Sequence, residues 1–343
     1  MDITRYRKNI YEQQRTNKRK TVLIMALFAL FLAILGFGFD VFAFGADLEH
    51  LFHGGFIPVA TITALLAGTA TSYWGLQNGD RAVLNSSGAV PVPEDPRYQQ
   101  LRNVVDEMAI ASGLPRPKLY LIQDEDPNAF ATGKDPSNAS IAVTQGLVDR
   151  LSRDELQAVI AHEMSHIQNY DIRLMTVVAA LVGAILLLST WARYGLRFGG
   201  RGGGRRSSRR GGGGGIIALL LLVVWLLGVI LAPFIAQLLA MAVSREREYF
   251  ADAFGAELTR NPLALAGALE KIESAEEPTR SIKKGTAHMC IVDPIGRRAN
   301  LREGKVANLF ATHPPIEKRI VVLKAMAYEY QREGGESRPA TSS

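Results

Sequence analysis

Ala161-His162-Glu163-Met164-Ser165-His166 is the stretch whose reading decides the rest of the chain. It lies in a segment of helical composition. A helix advances about 100° per residue, so His162 and His166 fall one turn apart on one face and can reach a common ion, with Glu163 beside them. That is zinc-ligand spacing. Upstream, Ser152-Arg153-Asp154-Glu155 has the form of a capping box, whose hydroxyl and carboxylate satisfy the first free N–H groups of the helix. Leu156, Val159, Ile160 and Ile167 supply its apolar stripe.

A catalytic zinc takes three protein ligands and keeps a fourth position for water, so a third ligand must come from elsewhere. The helical stretch from Ser244 to Phe254 offers Glu246 and Glu248. Glu248 has Asp252 one turn on, where a carboxylate can accept the outer N–H of a ligand histidine, whereas Glu246 has Phe250 there. Glu248 is therefore expected to be the third ligand, and Glu246 to belong with Arg245 and Arg247 on a solvated face. A structural zinc site in a non-catalytic membrane scaffold would use four protein ligands, usually rich in cysteine, and this chain has one cysteine, Cys290.

His162 to His166 followed by Asn169-Tyr170-Asp171, and then Glu248-Tyr249-Phe250-Ala251-Asp252-Ala253-Phe254, resembles the HtpX-type membrane zinc metallopeptidases, of which the CAAX prenyl peptidases are more distant relatives. Pro127-Asn128-Ala129-Phe130-Ala131-Thr132-Gly133 and the stretch from Ala311 to Arg319 extend the resemblance, in order, over roughly residues 20 to 325. It implies one zinc per subunit on His162, His166 and Glu248, Glu163 as general base, and Asp252 behind the ligands. It also implies an edge strand at Asn128, Ala129, Phe130 and Ala131 that holds the substrate backbone, with His313 and Arg319 as donors to the oxyanion. The implied activity is endopeptidase cleavage of misfolded or damaged membrane proteins, linked to stress, in a bacterial inner membrane. Processing of the CAAX type is the narrower alternative.

Composition agrees with a membrane location. The mean hydropathy is +0.07 over 343 residues, and the apolar residues are blocked together. The net charge is +6, but the basic residues stand beside the apolar blocks, where lipid headgroups and orientation signals account for them better than nucleic acid does. The lone cysteine requires no oxidising compartment.

The expected fold class is α+β: four transmembrane helices and a zincin-like catalytic domain with a small antiparallel sheet beside the metal helix. Residues 1–20 form a basic flank, 21–77 two spans with a short far-side loop from Asp40 to Gly54, and 78–173 the first part of the catalytic domain. Within it, Asn78 to Pro96 reads as a connector, Arg97 to Ser112 as a helix ended by Gly113, and Lys118–Ile122, Ala129–Thr132 and Ser140–Val143 as strands. Residues 174–243 form a transmembrane hairpin around an Arg/Gly loop at 193–215, Leu174 to Trp191 continuing the metal helix. The loop has no aromatic residue between Gly199 and Gly215, which argues against RNA binding. Residues 244–331 complete the catalytic domain, with helices from Leu263 to Ala275 and after Pro315, and 332–343 read as a disordered tail. His50 and His53, three residues apart and able to hold an adventitious metal, read as solvent-exposed loop histidines, and His288, near Met289 and Cys290, lacks partner spacing and is taken as structural.

Overall fold

The computed structural model describes residues 10–44, 57–198, 246–275, 281–282, 286–292 and 314–336, which fall into two compact units. The first holds residues up to Arg19, Asn78–Thr176 and the part from Met241 onward; the second holds Lys20–Gln77 and Val177–Ala240.

The first unit is built on four strands: β1 (Val90–Pro91), β2 (Lys118–Ile122), β3 (Ala129–Gly133) and β4 (Ala139–Thr144), in the order β1-β2-β4-β3. β3 and β4 form an antiparallel hairpin whose connection is the 3-10 turn Pro136–Asn138, capped by the Asp135 side chain. The expected antiparallel sheet is in fact mixed. β4 rather than β3 pairs with β2, and because β3 has already reversed the chain, β2 and β4 run parallel with Leu121 opposite Val143. The same hairpin leaves β3 at the sheet's edge.

Helices cover this sheet. Asp95 caps the turn Pro96–Tyr98, which leads into α3 (Gln99–Ser112), and Gly113 ends that helix at φ 68, a left-handed conformation glycine adopts without strain. α4 (Gln145–Arg150) follows β4, and then Ser152 and Glu155 close a capping box at the start of α5 (Arg153–Gln168). Glu155 Oε2 also accepts from Lys271 Nζ at 2.6 Å, which ties that start to α8 (Pro262–Glu273). α5 is the central helix, packed against α3, α7 (Glu246–Thr259), α8 and β3. Val104 and Val105 of α3, Leu121, Ile141 and Val143 of the sheet, Val159, Ile160 and Met164 of α5, and Leu265 and Leu269 of α8 meet in one core. Each such side chain, fully buried, contributes roughly 1.5–3 kcal/mol. α9 (Ile316–Glu336) closes the unit against α8, with Leu323 inside.

The second unit takes in the apolar part of α1 (Ile10–Phe44) and most of α2 (Val59–Ser86), together with the later part of α6 (Asp171–Phe198). Asp40 sits inside α1 and accepts from Ala60 N, Thr61 N and Thr61 Oγ1 at 2.9, 2.7 and 2.7 Å, so a charge amid apolar sequence caps the first turn of α2. Gly36 allows the two helices to approach, since a Cβ there would lie 2.5 Å from Ala60 O.

Several boundaries differ from the sequence expectation. α1 passes through Asp40 to Phe44, because that carboxylate is satisfied by the next helix instead of by water. α2 carries on through Gly79-Asp80, within the supposed connector, to Ser86. α9 runs on through Gly334 to Glu336, into the supposed tail. The metal helix does not continue into Leu174–Trp191: it stops at Gln168, Tyr170 takes φ 60, and α6 starts afresh at Asp171. Among the described residues one helix, over Ile10–Val41, is long and apolar enough to cross a membrane; Asp171–Leu187 meets that mark only when joined to Arg153–Gln168 as a bent pair. The fourth apolar run (216–243), most of the Arg/Gly loop, His50, His53 and His313 lie outside the described residues.

Candidate metal centre

α5 presents His162, Glu163 and His166 on its buried side, and α7 brings Glu248 and Asp252 to meet them. The approach depends on Gly255, one face-repeat beyond Glu248, where a Cβ would stand 3.1 Å from the backbone nitrogen of His162. His162, His166 and Glu248 each offer one atom, all within 4.8 Å of one another. The two Nε2 atoms are 3.3 Å apart, with Glu248 Oε2 3.7 Å from that of His162 and Glu248 Oε1 3.7 Å from that of His166. Ligands at about 2.0–2.1 Å from a tetrahedral zinc stand about 3.4 Å from one another, so the set fits the ion.

Each histidine is oriented from behind. His162 Nδ1 faces Asp252 Oδ1 at 3.0 Å, and His166 Nδ1 faces Asp171 Oδ2 at 3.0 Å. A carboxylate on Nδ1 keeps the proton there and leaves the Nε2 lone pair for a metal. Behind Asp252 stands Arg319, fully buried, with Nε and Nη2 donating to the two Asp252 oxygens at 2.8 and 2.7 Å. Its Nη1 donates to Ile291 O at 2.7 Å and lies 3.5 Å from Glu248 Oε2. Behind Asp171 stand Asn17 Nδ2, 2.6 Å from Oδ1, and Arg247 Nη1 at 3.2 Å.

Glu163 is 1% exposed, and neither of its oxygens has a hydrogen-bond partner of normal geometry among the described residues. Such a carboxylate suits a water to be deprotonated. Burial pushes it up to about 7, against the neighbouring His166 charge and with the help of Glu248; the Ala131 N–H pulls the other way. Burial alone would lower His166, but the Asp171 hydrogen bond and the charges of Glu248 and Glu163 raise it to about 9. Burial likewise lowers His162, and here it outweighs Asp252. Burial would raise the Asp252 carboxyl, yet Arg319 and His162 hold it below the usual carboxylate range.

A pH dependence follows. A group raised to about 9 is protonated below that pH, and zinc held by His166 would have to displace that proton. Apparent zinc affinity of the stripped protein should therefore rise with pH, by about tenfold per unit between about pH 7 and 9. Chelator competition at three pH values checks this, and a flat profile would contradict a charged His166.

The edge strand is partly engaged by the chain itself. Ala129 O accepts from Ile291 N at 2.9 Å, Phe130 bridges to Cys290, and Gly133 N donates to Thr176 Oγ1 at 3.1 Å. Asn128 donates to Val292 O and accepts from Ala129 N, both at 3.0 Å, while the Phe130 side chain is buried. His288 is buried with Nε2 3.4 Å from Met175 O, away from the ligand group. Asp171 and Asn17 had no role in the sequence expectation, and Arg247, expected on a solvated face, is instead mostly buried against Asp171. Asp171, five residues after His166, closes the Asn169-Tyr170-Asp171 triplet; Asn17 carried no local signal.

The ligand assignment makes a ranked prediction. Glu248→Ala should lower zinc affinity most and Asp252→Ala by about 10–100-fold, while Glu246→Ala should leave it nearly unchanged, because Glu246 is exposed at the start of α7. Metal analysis after dialysis reads the order, and equal losses at 246 and 248 would refute it.

Residues 96–327 match Peptidase family M48. A protease HtpX homolog of Caldanaerobacter subterraneus subsp. tengcongensis is 43% identical over 320 residues, which is 93% of this chain and 99% of that protein. Homologs from Dictyoglomus turgidum and Limosilactobacillus reuteri are 41% and 39% identical, covering 94% and 92% of this chain and 96% and 100% of theirs. Among solved structures, Ste24p of S. mikatae is similar at a TM-score of 0.44 and 19% identity, over 91% of this chain and 67% of that one.

Proposed function

This chain belongs to peptidase family M48, and from that premise we propose how its residues carry out zinc-dependent endopeptidase cleavage at a membrane. The protein is a zinc metalloprotease, and its relatives' designation fits turnover of misfolded or damaged membrane proteins. The observation that carries the mechanism is the convergence of three ligand atoms on one point, with a buried carboxylate next to them.

His162, His166 and Glu248 would hold the ion, which would supply Lewis acidity toward a scissile carbonyl and a bound water. Glu163 takes the proton of an attacking water as its oxygen bonds to the scissile carbon, and delivers it to the amine nitrogen as the C–N bond breaks. The extended substrate pairs with the edge of β3 at the Ala131 backbone, between the contacts that Ile291 and Thr176 make. Asn128 and Phe130 shape that edge from behind, since both side chains are committed inside the protein. Arg319 serves the reaction by holding Asp252 and Glu248 in place, and His313 follows by family resemblance as a donor to the oxyanion.

For topology we infer four spans with the catalytic unit on the cytoplasmic face. His162 and His166 precede the third apolar run and Glu248 follows the fourth, so that pair must start and finish on one side. A spanning hairpin puts the arginines of the loop opposite the basic amino-terminal flank, against the positive-inside bias. A re-entrant hairpin avoids this but leaves Gly/Arg backbone at membrane depth, which lipid cannot solvate, and that is the larger penalty. Leu174 to Trp191 spans about 27 Å as a helix, near the hydrocarbon thickness. With Cys290→Ser and Ser207→Cys combined, a membrane-impermeant maleimide should label intact spheroplasts; labelling only after lysis excludes the four-span arrangement.

A further inference from the structure

The basic flank ahead of the first apolar run is not only a lipid-facing tail. It is helical from Ile10, and Gln14, Asn17 and Lys18, at i, i+3 and i+4, share one face of α1. That face grips the joint between α5 and α6. Gln14 Nε2 donates to Gln168 O at 2.8 Å, Asn17 Nδ2 donates to Asn169 O at 3.0 Å, and Lys18 Nζ stands 3.9 Å from the centre of the Tyr170 ring. The joint needs holding, because Tyr170 has φ 60, a left-handed conformation that is sterically disfavoured for a non-glycine residue. Asn17, 4% exposed, also reaches Asp171 Oδ1 at 2.6 Å, and the other oxygen of that carboxylate orients His166.

We propose that Asn17 is a positioning residue for the metal centre: through Asp171 it sets the ring of His166, so that the amino-terminal helix is part of the apparatus that builds the zinc site. This rests on the ligand assignment above. Arg247 Nη1 approaches the same Asp171 oxygen at 3.2 Å, so two donors from separate segments of the chain fix one carboxylate. A carboxylate held by two donors has one orientation left for the imidazole, which is how an outer partner sharpens a ligand's aim.

The test uses the full chain in detergent. Partners that touch a ligand are worth about 10–100-fold in metal affinity, so Asn17→Ala, one contact further out, should raise the zinc dissociation constant roughly three- to tenfold. It should also alter the visible d–d spectrum of the cobalt-substituted protein, which reports ligand geometry and which a mere loss of stability does not change. In an Asp171→Ala background the same substitution should weaken zinc no further, since its route is already cut. Unchanged zinc affinity and cobalt spectrum in Asn17→Ala, or equal weakening in both backgrounds, overturns the proposal. If Asn17→Ala cannot be purified, Asn17→Ser, whose hydroxyl reaches less far, is read on the same two scales with the same outcomes. Failure of the unsubstituted protein to bind zinc would sink the ligand assignment instead, so the two failures are distinguishable.

Discussion

Glu163→Gln should retain zinc at the level of the unsubstituted protein while peptide cleavage falls by about a thousandfold or more. The amide is nearly isosteric and touches no ligand atom, so the metal site stays built. What disappears is the group that accepts a proton and returns it, a contribution of roughly 10²–10⁴ in rate for general base catalysis. Its two oxygens have no hydrogen-bond partner of normal geometry among the described residues, so the substitution disturbs little else. Metal content by elemental analysis and cleavage of an unfolded protein such as casein, measured on one preparation, separate the two properties. Near-normal cleavage would end the assignment of Glu163 as base, and loss of zinc together with activity would make it a structural group.

Arg319→Leu should be the most damaging substitution outside the ligands. Asp252 would lose both of its guanidinium donors while remaining 1% exposed, and removal of one partner from a buried ion pair destabilises by about 3–5 kcal/mol. The effect should reach zinc, because Asp252 orients His162. Arg319→Lys should recover only part of it, as an ammonium cannot span both Asp252 oxygens and Ile291 O. Thermal unfolding with and without added zinc reads both consequences. A melting temperature and zinc content like those of the parent would show that Arg319 does not support Asp252.

How far the site could be read from sequence depended on distance along the chain. The capping box, the facing histidines and Asp252 beyond Glu248 are all local periodicity, and three or four residues suffice to state them. The three longer strands were legible for the same reason, since β-branched and aromatic runs between glycine, proline and aspartate mark themselves. Their pairing was not legible, because whether β2 meets β3 or β4 is decided by contacts between distant segments. The stop at Gln168 was hidden by composition: Asn169-Tyr170 is no strong helix breaker, and the left-handed turn at Tyr170 is accompanied by tertiary contacts from Gln14, Asn17 and Lys18. Arg319 shows the limit most plainly. Its proline-rich setting marked it as functional by resemblance, yet nothing near it in sequence says that its partners are Asp252 and the carbonyl of Ile291.

The ligand set also has a meaning in polymer terms. Between His166 and Glu248 lie about 80 residues, and closing a flexible loop of that length costs on the order of 4 kcal/mol in chain entropy. The ion is therefore a clasp on a long loop, and the protein cannot bind it with full affinity until α5 and α7 have packed together. Metal capture thus reports that α5 and α7 have met: a chain in which they have not leaves Glu248 away from the histidines, and is a protease only in sequence.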